Sequence, residues 1–156
     1  MHRLSTIPGS EQDGEISLVE QQTAPLLFLS SASSDIATLA SVLDSKQFTF
    51  LKNKIRALLI SELGHPAQID HYFNTTASKA ELIVVRLYGG RGHWGYGLEQ
   101  LQNWQRSSSK RQLIVLSGIA ENELELHSIS SVPQNIVIKL SNLFRAGGSN
   151  NISSAV

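Results

Sequence analysis

The residues best suited to bind a ligand lie in one glycine-rich segment at positions 89–97. Glycine fills five of its positions and so lets a ligand approach the main-chain amides: Gly89, Gly90, Gly92, Gly95 and Gly97. The remaining side chains are a guanidinium and three rings: Arg91, His93, Trp94 and Tyr96. Rings can stack on a flat ligand, and a guanidinium can bind a carboxylate through two hydrogen bonds. The segment therefore predicts a binding loop for a flat ligand that carries carboxylates.

Two other interpretations of this loop stay open. A tight turn whose aromatic rings pack against the sheet edge or a neighbouring domain would use the same residues. Gly90, Gly92 and Gly95 also spell G-x-G-x-x-G, the fingerprint of dinucleotide-binding folds. That fingerprint normally follows the first strand, whereas this one follows the third and holds His93 and Trp94 at its variable positions. A nicotinamide or flavin site is therefore disfavoured.

The histidines and acidic residues form no recognisable catalytic or metal-binding pattern. The five histidines are dispersed along the chain: His2, His65, His71, His93 and His127. His93 could bind a metal or shuttle a proton because imidazole titrates near neutral pH, but a surface or packing role is favoured. The sequence also lacks the G-x-x-x-x-G-K-[ST] phosphate loop. We therefore predict no catalytic residue and no metal site, and we expect the chain to bind no cofactor by itself.

Four units of strand followed by helix are predicted to position the loop. Apolar runs predict strands at 26–29, 55–60, 82–88 and 113–116. Helical spacing of apolar residues predicts the intervening and final helices: Ile36, Leu39, Ala40 and Leu43; Ile69, Tyr72, Phe73, Thr76 and Ala77; Leu98, Leu101 and Trp104; Ile136, Val137, Leu140, Leu143 and Phe144.

Local signals mark where these helices begin and end. The serines at 30–34 are expected to cap the first helix, although serines at a helix N-terminus could also bind an anion. Pro66 and Pro133 are expected to open the second and the last helix, and Gly147 and Gly148 to close the last. Arg86 lies within an apolar strand, where an unpaired charge is costly, so we predict that it pairs with a carboxylate near the strand end.

Alternating strands and helices predict an α/β fold with a doubly wound, mostly parallel sheet of four strands and helices on both faces. A flavodoxin-like or Rossmann-like strand order of 2-1-3-4 brings the loops after the first and third strands together. Those loops are residues 30–35 and 89–97. Sheets of this kind bind ligands at that topological switch point.

Composition gives no support to several classes of protein. Thirteen basic and thirteen acidic residues cancel, so no charge surplus predicts binding to nucleic acid or to an anionic membrane. The sequence has no cysteine, and it has neither a secretory signal nor an apolar run near the roughly 20 residues that span a bilayer. We expect a cytoplasmic protein with no membrane span. Its predicted organisation is an irregular arm at 1–24 with a short strand at 16–19, one domain at 25–148, and a polar tail at 149–156 that marks a truncation point.

The sequence resembles the extreme N-terminus of the large subunit of aerobic cobaltochelatase, the CobN type. The resemblance rests on MHRL with Pro8 and Gly9, on VEQQTAPLLFLSSASSDIATLA at 19–40, and above all on LIVVRLYGGRGHWGYGLEQL at 82–101. The segments VLSG at 115–118 and FRAGGSNN at 144–151 continue it in order, so that it covers nearly the whole chain. The magnesium-chelatase large subunit is a more distant relative in the same superfamily.

The resemblance implies a ligase that forms nitrogen–metal bonds. Members of the family insert cobalt, their substrate, into the tetrapyrrole hydrogenobyrinic acid a,c-diamide during cobalamin biosynthesis. Separate AAA+ type subunits use ATP with magnesium, which agrees with the absent phosphate loop. Because family members are many times longer, the resemblance implies an isolated N-terminal domain that is inactive alone. Its implied partners are the remainder of the large subunit, the AAA+ type subunits and the tetrapyrrole.

The loop residues carried over from the family are Arg86, Gly89, Gly90, Arg91, Trp94, Tyr96, Gly97 and Glu99. Gly92 and His93 depart from the small polar and aromatic residues expected at their positions. With His93, these residues form the predicted ligand-binding set. We expect the domain to assist tetrapyrrole recognition or the docking of other domains. Two alternatives are an interaction module anchored by Trp94 and Tyr96, and a small flavodoxin-like protein that binds a cofactor.

Overall fold

The structure, a computed structural model, describes residues 16–119 and 123–146. In these ranges a parallel sheet has the strand order β2-β1-β3-β4, which confirms the predicted order. The strands are β1 (Leu26–Ser30), β2 (Ile55–Leu59), β3 (Leu82–Leu87) and β4 (Gln112–Ser117). The helices are α1 (Ser33–Asp44), α2 (Pro66–Asn74), α3 (Gly95–Arg106), α4 (Glu123–His127) and α5 (Gln134–Ala146). Short 3-10 helices cover Thr49–Leu51, Ile60–Leu63, Thr76–Lys79 and Arg91–His93.

One face of the sheet is fully covered, and we call it the sealed face. Alternate residues of the central strands, Leu27, Leu29, Ile83 and Val85, point to this side and are 0% exposed. Residues of α2 and α3 pack on them, together with both tryptophans and Leu126 of α4, in one apolar cluster. Cover on one face requires apolar residues at alternate positions only, whereas the continuous apolar runs of β1 and β3 are typical of strands with apolar neighbours on both faces.

The opposite face, which we call the open face, is flanked by α1 and α5. It is formed by the other alternate residues of the central strands: Leu26, Phe28, Leu82 and Val84. Leu39, Val42 and Leu43 of α1 and Val137 and Phe144 of α5 belong to its cluster. Phe28 is buried, but Leu26, Leu82 and Val84 remain half-buried. Helices therefore lie on both faces, as predicted, but they cover the two faces unequally.

Side chains cover the two outer edges of the sheet. The hydroxyls of Ser130 and Ser131 accept hydrogen bonds from the N–H groups of Val115 and Leu113 in β4, both at 2.8 Å. On the far side, Gln21 donates from Nε2 to the carbonyl of Ala57 in β2 at 3.0 Å. Such cover protects edge strands from pairing with another chain.

Several local predictions are wrong. No strand forms at 16–19, because hydrogen bonds of residues 16–24 go to side chains of other elements: Gln68 donates to the Ser17 carbonyl at 2.9 Å, and Thr76 to the Gln21 carbonyl at 2.8 Å. The α1 N-cap is Ala32, with no side-chain cap, because the Ser30 hydroxyl accepts from the Ala32 N–H and donates to Asp35. Ala40 is exposed because the buried stripe of α1 runs along Leu39, Val42 and Leu43.

Helix limits also differ from the predictions. α3 begins at Gly95, before the predicted Leu98, because the loop glycines there take helical geometry. Thr76 and Ala77 lie in a separate 3-10 helix, since the backbone leaves helical geometry at Thr75. α4 was not predicted from the sequence. Gly147 and Gly148 lie outside the described residues.

Within the described ranges, every helix is too short or too polar to cross a bilayer. The cytoplasmic location and the division into an arm, a domain and a tail stay predictions.

Candidate functional site

The loops that follow β1 and β3 meet at the carboxyl edge of the sheet. Ser31 donates its N–H to the Arg86 carbonyl at 3.0 Å, and its hydroxyl accepts from the N–H of Tyr88 at 3.2 Å. This contact places the residues after β1 directly beside the start of the glycine-rich loop. The predicted switch-point geometry is confirmed.

Arg86 forms a buried ion pair at this edge. Its Nη1 donates to both carboxylate oxygens of Asp35, at 2.8 and 3.0 Å, and the Ser30 hydroxyl donates to the same carboxylate at 2.8 Å. Arg86 is 6% exposed and Asp35 is 8% exposed. The guanidinium carbon lies 5.2 Å from the Tyr88 ring centre and 5.5 Å from that of Phe144. The predicted pairing of Arg86 is confirmed, and its charge is neutralised within the domain.

Trp94 anchors the loop to the protein interior. Its indole is 6% exposed, and Nε1 donates to the Leu63 carbonyl at 2.8 Å. A Cβ at Gly97 would lie 2.1 Å from the indole, so glycine is needed there to make room for this ring. The geometry of Trp94 and Gly97 therefore matches the packing interpretation of the loop.

Tyr96 links α3 to α2 at the protein surface. It is 37% exposed, and its hydroxyl donates to Oδ1 of Asp70 at 2.6 Å. This hydrogen bond, with a smaller contribution from the charges of Asp70 and Glu99, raises the pKa of the Tyr96 phenol above its ordinary value. Much of the ring remains at the surface beside the loop, where a ligand or a partner could reach it.

The other loop positions differ in how much they offer to a ligand. Gly89 has a φ of 101°, and the His93 ring lies 2.7 Å from the position of a Cβ there, so this turn requires glycine. A Cβ added at Gly92 or Gly95 would meet open space out to 4 Å, and both glycines are exposed. His93 is exposed. The main chain of Arg91 opens the 3-10 helix, and its side chain lies outside the described residues.

The predicted ligand-binding set is thus divided by the fold. Arg86, Trp94 and Gly97 are buried, Gly89 and Gly90 are half-buried, and His93, Tyr96 and Glu99 are exposed. Within the described ranges, no cluster of three or more histidine or acidic side chains is placed to hold a metal. Among the described residues, the groups exposed at the carboxyl edge include the rings of Tyr88, His93 and Tyr96, the Glu99 carboxylate and the backbone at Gly92 and Gly95.

An apolar groove on the open face was missed by the sequence analysis. It has a volume of about 280 Å³, and the four open-face residues Leu26, Phe28, Leu82 and Val84 contribute to its lining. Leu39 of α1 and Leu140 and Phe144 of α5 also line it, and Lys54 is its one charged lining residue. Continuous apolar runs in β1 and β3 are its only signal in the sequence, and the same runs serve the sealed face.

Comparisons with known proteins point to one family. The chain is 32% identical over 152 residues to the aerobic cobaltochelatase subunit CobN of a Sinorhizobium species, and 29% identical over 152 residues to CobN of Pseudomonas aeruginosa. Each match covers 97% of this chain, and the chain spans 12% of the length of each relative. No protein-family model matches the chain.

A solved structure, the catalytic subunit of cobaltochelatase from Mycobacterium tuberculosis, has the same fold in part of its chain. The TM-score is 0.62 at 18% identity, and the match covers 83% of this chain and 10% of that one. This similarity independently supports the α/β fold.

Proposed function

Because the chain belongs to the CobN family of aerobic cobaltochelatase subunits, we propose that it is a docking domain of the large subunit. In this proposal the remainder of the large subunit packs on the open face. The parent enzyme inserts cobalt into hydrogenobyrinic acid a,c-diamide for cobalamin biosynthesis, and AAA+ type partner subunits use ATP with magnesium to drive the reaction. The domain positions other parts of the enzyme and does not insert the metal alone.

The observation that carries this proposal is the unequal cover of the two sheet faces. Leu82 and Val84 remain half-buried around an apolar groove, whereas Ile83 and Val85 of the same strand are fully buried. Exposed apolar surface that forms a continuous depression is typical of an interaction site. Leaving this surface in water costs free energy, and a domain packed on it would recover that free energy.

The internal contacts of the loop argue for a structural role of its buried members. Arg86 is already paired with Asp35, and the indole N–H of Trp94 already donates to Leu63. A ligand that took either group would have to break a buried hydrogen bond, which is costly. The buried residues of the loop are thus used inside the domain, and contact with another molecule falls to the exposed loop residues or to the open face.

Tetrapyrrole recognition by the carboxyl edge is the second candidate. The exposed His93 and Tyr96 and the open backbone at Gly92 and Gly95 favour it, since they lie at the switch point of the sheet. A macrocycle could stack on the rings and accept hydrogen bonds from the amides. The two roles are compatible, because the open-face groove and the loop are formed by different residues.

Two measurements test these roles separately. Docking predicts that the purified chain forms a stable complex with Sinorhizobium CobN from which the matching region has been deleted. Co-elution on size exclusion at concentrations of hundreds of micromolar is the expected result, and separate elution at those concentrations would contradict the docking role. For recognition, hydrogenobyrinic acid a,c-diamide is titrated into the chain while the absorption band of the macrocycle is followed. An unchanged band at high micromolar concentrations would exclude recognition by the isolated domain.

A further inference from the structure

We infer that the groove between α1 and α5 receives one amphipathic helix from another part of the large subunit, with an acidic side chain of that helix at Lys54. This inference rests on the proposed docking function and specifies the occupant of the open face. The apolar side chains of the incoming helix lie over Phe28 and Val84, between Leu39 and Leu140.

The chemistry of the lining determines that the occupant is apolar. Eleven of the residues around the groove are apolar, and Lys54 is the exception. Such a lining gains nothing from a polar occupant, which would lose its hydrogen bonds to water without replacement. An apolar occupant removes the half-exposed side chains of Leu82 and Val84 from water.

Hydrogen bonding determines that the occupant is helical. The groove lies over a face of the sheet, where side chains and not backbone groups are presented. An extended segment pressed into it would bury N–H and C=O groups that find no partner among the apolar side chains. An α-helix satisfies its own backbone groups and brings only side chains to the contact.

The size of the groove determines how much of the helix enters. An α-helix with its side chains is about 10–12 Å across, so it cannot sink whole into a volume of 280 Å³. The helix must lie across the opening and insert two or three side chains spaced along one face, as in other helix-in-groove complexes.

Charge at the groove determines the polar residue of the partner. Lys54 is exposed at the lining, and none of the ion pairs among the described residues involves it. Its neighbour Lys52 is already paired with Asp44 at 2.6 Å. A carboxylate on the incoming helix therefore meets an unpaired ammonium at Lys54. Such a rim pair adds little affinity but fixes the register of the helix.

The small size of the groove favours an occupant from the same subunit. Stable complexes between separate proteins bury about 1,600 Å² in total, which a groove receiving two or three side chains cannot supply alone. The relatives of this chain are CobN subunits of which it spans 12%, so most of their polypeptide lies outside the matched region. Covalent linkage supplies a high effective concentration, so the contact can be weak by itself, and a separate peptide is expected to bind only at concentrations of hundreds of micromolar.

The experiment uses overlapping 20-residue peptides that tile the Sinorhizobium CobN sequence outside the region matched by this chain. Each labelled peptide is titrated with the purified chain, binding is followed by fluorescence anisotropy, and helicity is followed by circular dichroism. We expect one peptide, amphipathic and carrying an acidic residue, to bind and to become helical on binding.

Matched variants locate the contact. Leu140→Glu places a charge in the groove, whereas Ile138→Glu changes the same helix at an exposed position outside the lining. We expect the first to weaken peptide binding at least about tenfold and the second to leave it unchanged. Lys54→Glu should weaken binding about threefold, and a peptide with its acidic residue changed to lysine should restore it. If Leu140→Glu lowers the melting temperature of the domain, Leu51→Glu takes its place, because Leu51 lines the groove but lies outside helices α1 and α5.

The outcomes separate this inference from the docking function. If CobN lacking the matching region binds the Leu140→Glu and Lys54→Glu variants as well as it binds the unmodified chain, the helix site is wrong. Docking would then use another surface. Failure to bind either that subunit or any peptide would overturn both. Self-association of the chain that is abolished by Leu140→Glu would assign the groove to a second copy and overturn the inference. A peptide that binds the groove in an extended form would also overturn it.

Discussion

The two faces of one strand, β3, differ in how completely their side chains are buried. Ile83 and Val85 point into the sealed face and are 0% exposed, whereas Leu82 and Val84 point to the open face and stay half-buried. All four residues are apolar and adjacent in sequence. An apolar run is typical of a strand with cover on both faces, but it does not tell how completely the strand's own chain covers each face.

The tryptophans extend this comparison to the glycine-rich loop. Trp94 and Trp104 both belong to the sealed-face cluster, and each indole N–H donates to a carbonyl at 2.8 Å, of Leu63 and Ala77 respectively. The loop is thus attached to the face that stabilises the domain. Its exposed residues, His93 and Tyr96, therefore lie next to residues that are buried in the core.

The largest effect is expected when the loop is detached from the sealed face. Trp94→Ala removes a buried ring and its hydrogen bond and should cost about 3–5 kcal/mol of unfolding free energy. Urea denaturation measures this change, and Trp94→Phe, which keeps a ring, should lose much less. Unchanged stability together with lost tetrapyrrole affinity would instead make Trp94 a ligand contact.

The buried ion pair at the carboxyl edge should respond nearly as strongly. Asp35→Ala leaves the guanidinium of Arg86 buried without its carboxylate, which typically costs about 3–5 kcal/mol. The exposed pair between Lys52 and Asp44 is the control, since Asp44→Ala should change stability by less than about 1 kcal/mol. Equal effects of the two alanine variants would show that the Arg86 pair is not isolated from water.

Alanine variants of one leucine on each face of β3 compare how much the two faces contribute to stability. Leu87→Ala, at a buried position of the sealed-face cluster, should cost about 2–5 kcal/mol because it leaves a cavity. Leu82→Ala, beside the groove, should cost less than half of that, since its side chain is already partly in water. Thermal denaturation measures the stability of both variants. A lower melting temperature for Leu82→Ala than for Leu87→Ala would contradict the unequal cover of the two faces.

Two loop glycines allow a smaller and sharper test. An alanine at Gly97 would place its Cβ 2.1 Å from the Trp94 ring and should cost about 1–3 kcal/mol through forced repacking. An alanine at Gly95 meets open space in the first turn of α3 and should be neutral or stabilise by up to about 1 kcal/mol. Equal costs at both positions would contradict the anchoring role of Trp94.

The smallest expected effect is the titration of Tyr96. Its hydrogen bond to Asp70 raises the pKa of the phenol above the ordinary value of 10.0, so the bond stabilises the fold below that pH. The stabilisation is lost as the pH rises through the raised pKa of the folded state. Ultraviolet titration should show this pKa falling toward 10.0 in Asp70→Asn. A phenol of Tyr96 that titrates at its ordinary pKa in the unmodified chain would exclude the bond in solution.

Much of the fold could be predicted from the sequence because the signals are local. The alternation of apolar runs with helical patterns, together with the need for crossovers between parallel strands, leads to a parallel sheet, and the order 2-1-3-4 is expected by analogy with flavodoxin-like folds. The pairing of Arg86 follows from the cost of a lone charge in an apolar strand. The short α4 was missed because five residues carry too little periodicity to be recognised.

The candidate site could be predicted only in part. The sequence places Trp94 and Tyr96 in the same glycine-rich loop but cannot tell that the first points inward and the second outward, since this depends on where α2 lies. The groove depends on the spacing between α1 and α5, which no local pattern encodes. Both are tertiary features that arise only when distant elements pack together.

The central claim is that the open face docks against the remainder of the large subunit. Calorimetric titration of the chain into Sinorhizobium CobN lacking the matching region, repeated with Leu140→Glu and Ile138→Glu, tests it most directly. We predict saturable binding with a negative heat-capacity change that is lost in Leu140→Glu and kept in Ile138→Glu. Binding that is equally strong in both variants, or absent from the unmodified chain, would contradict the claim.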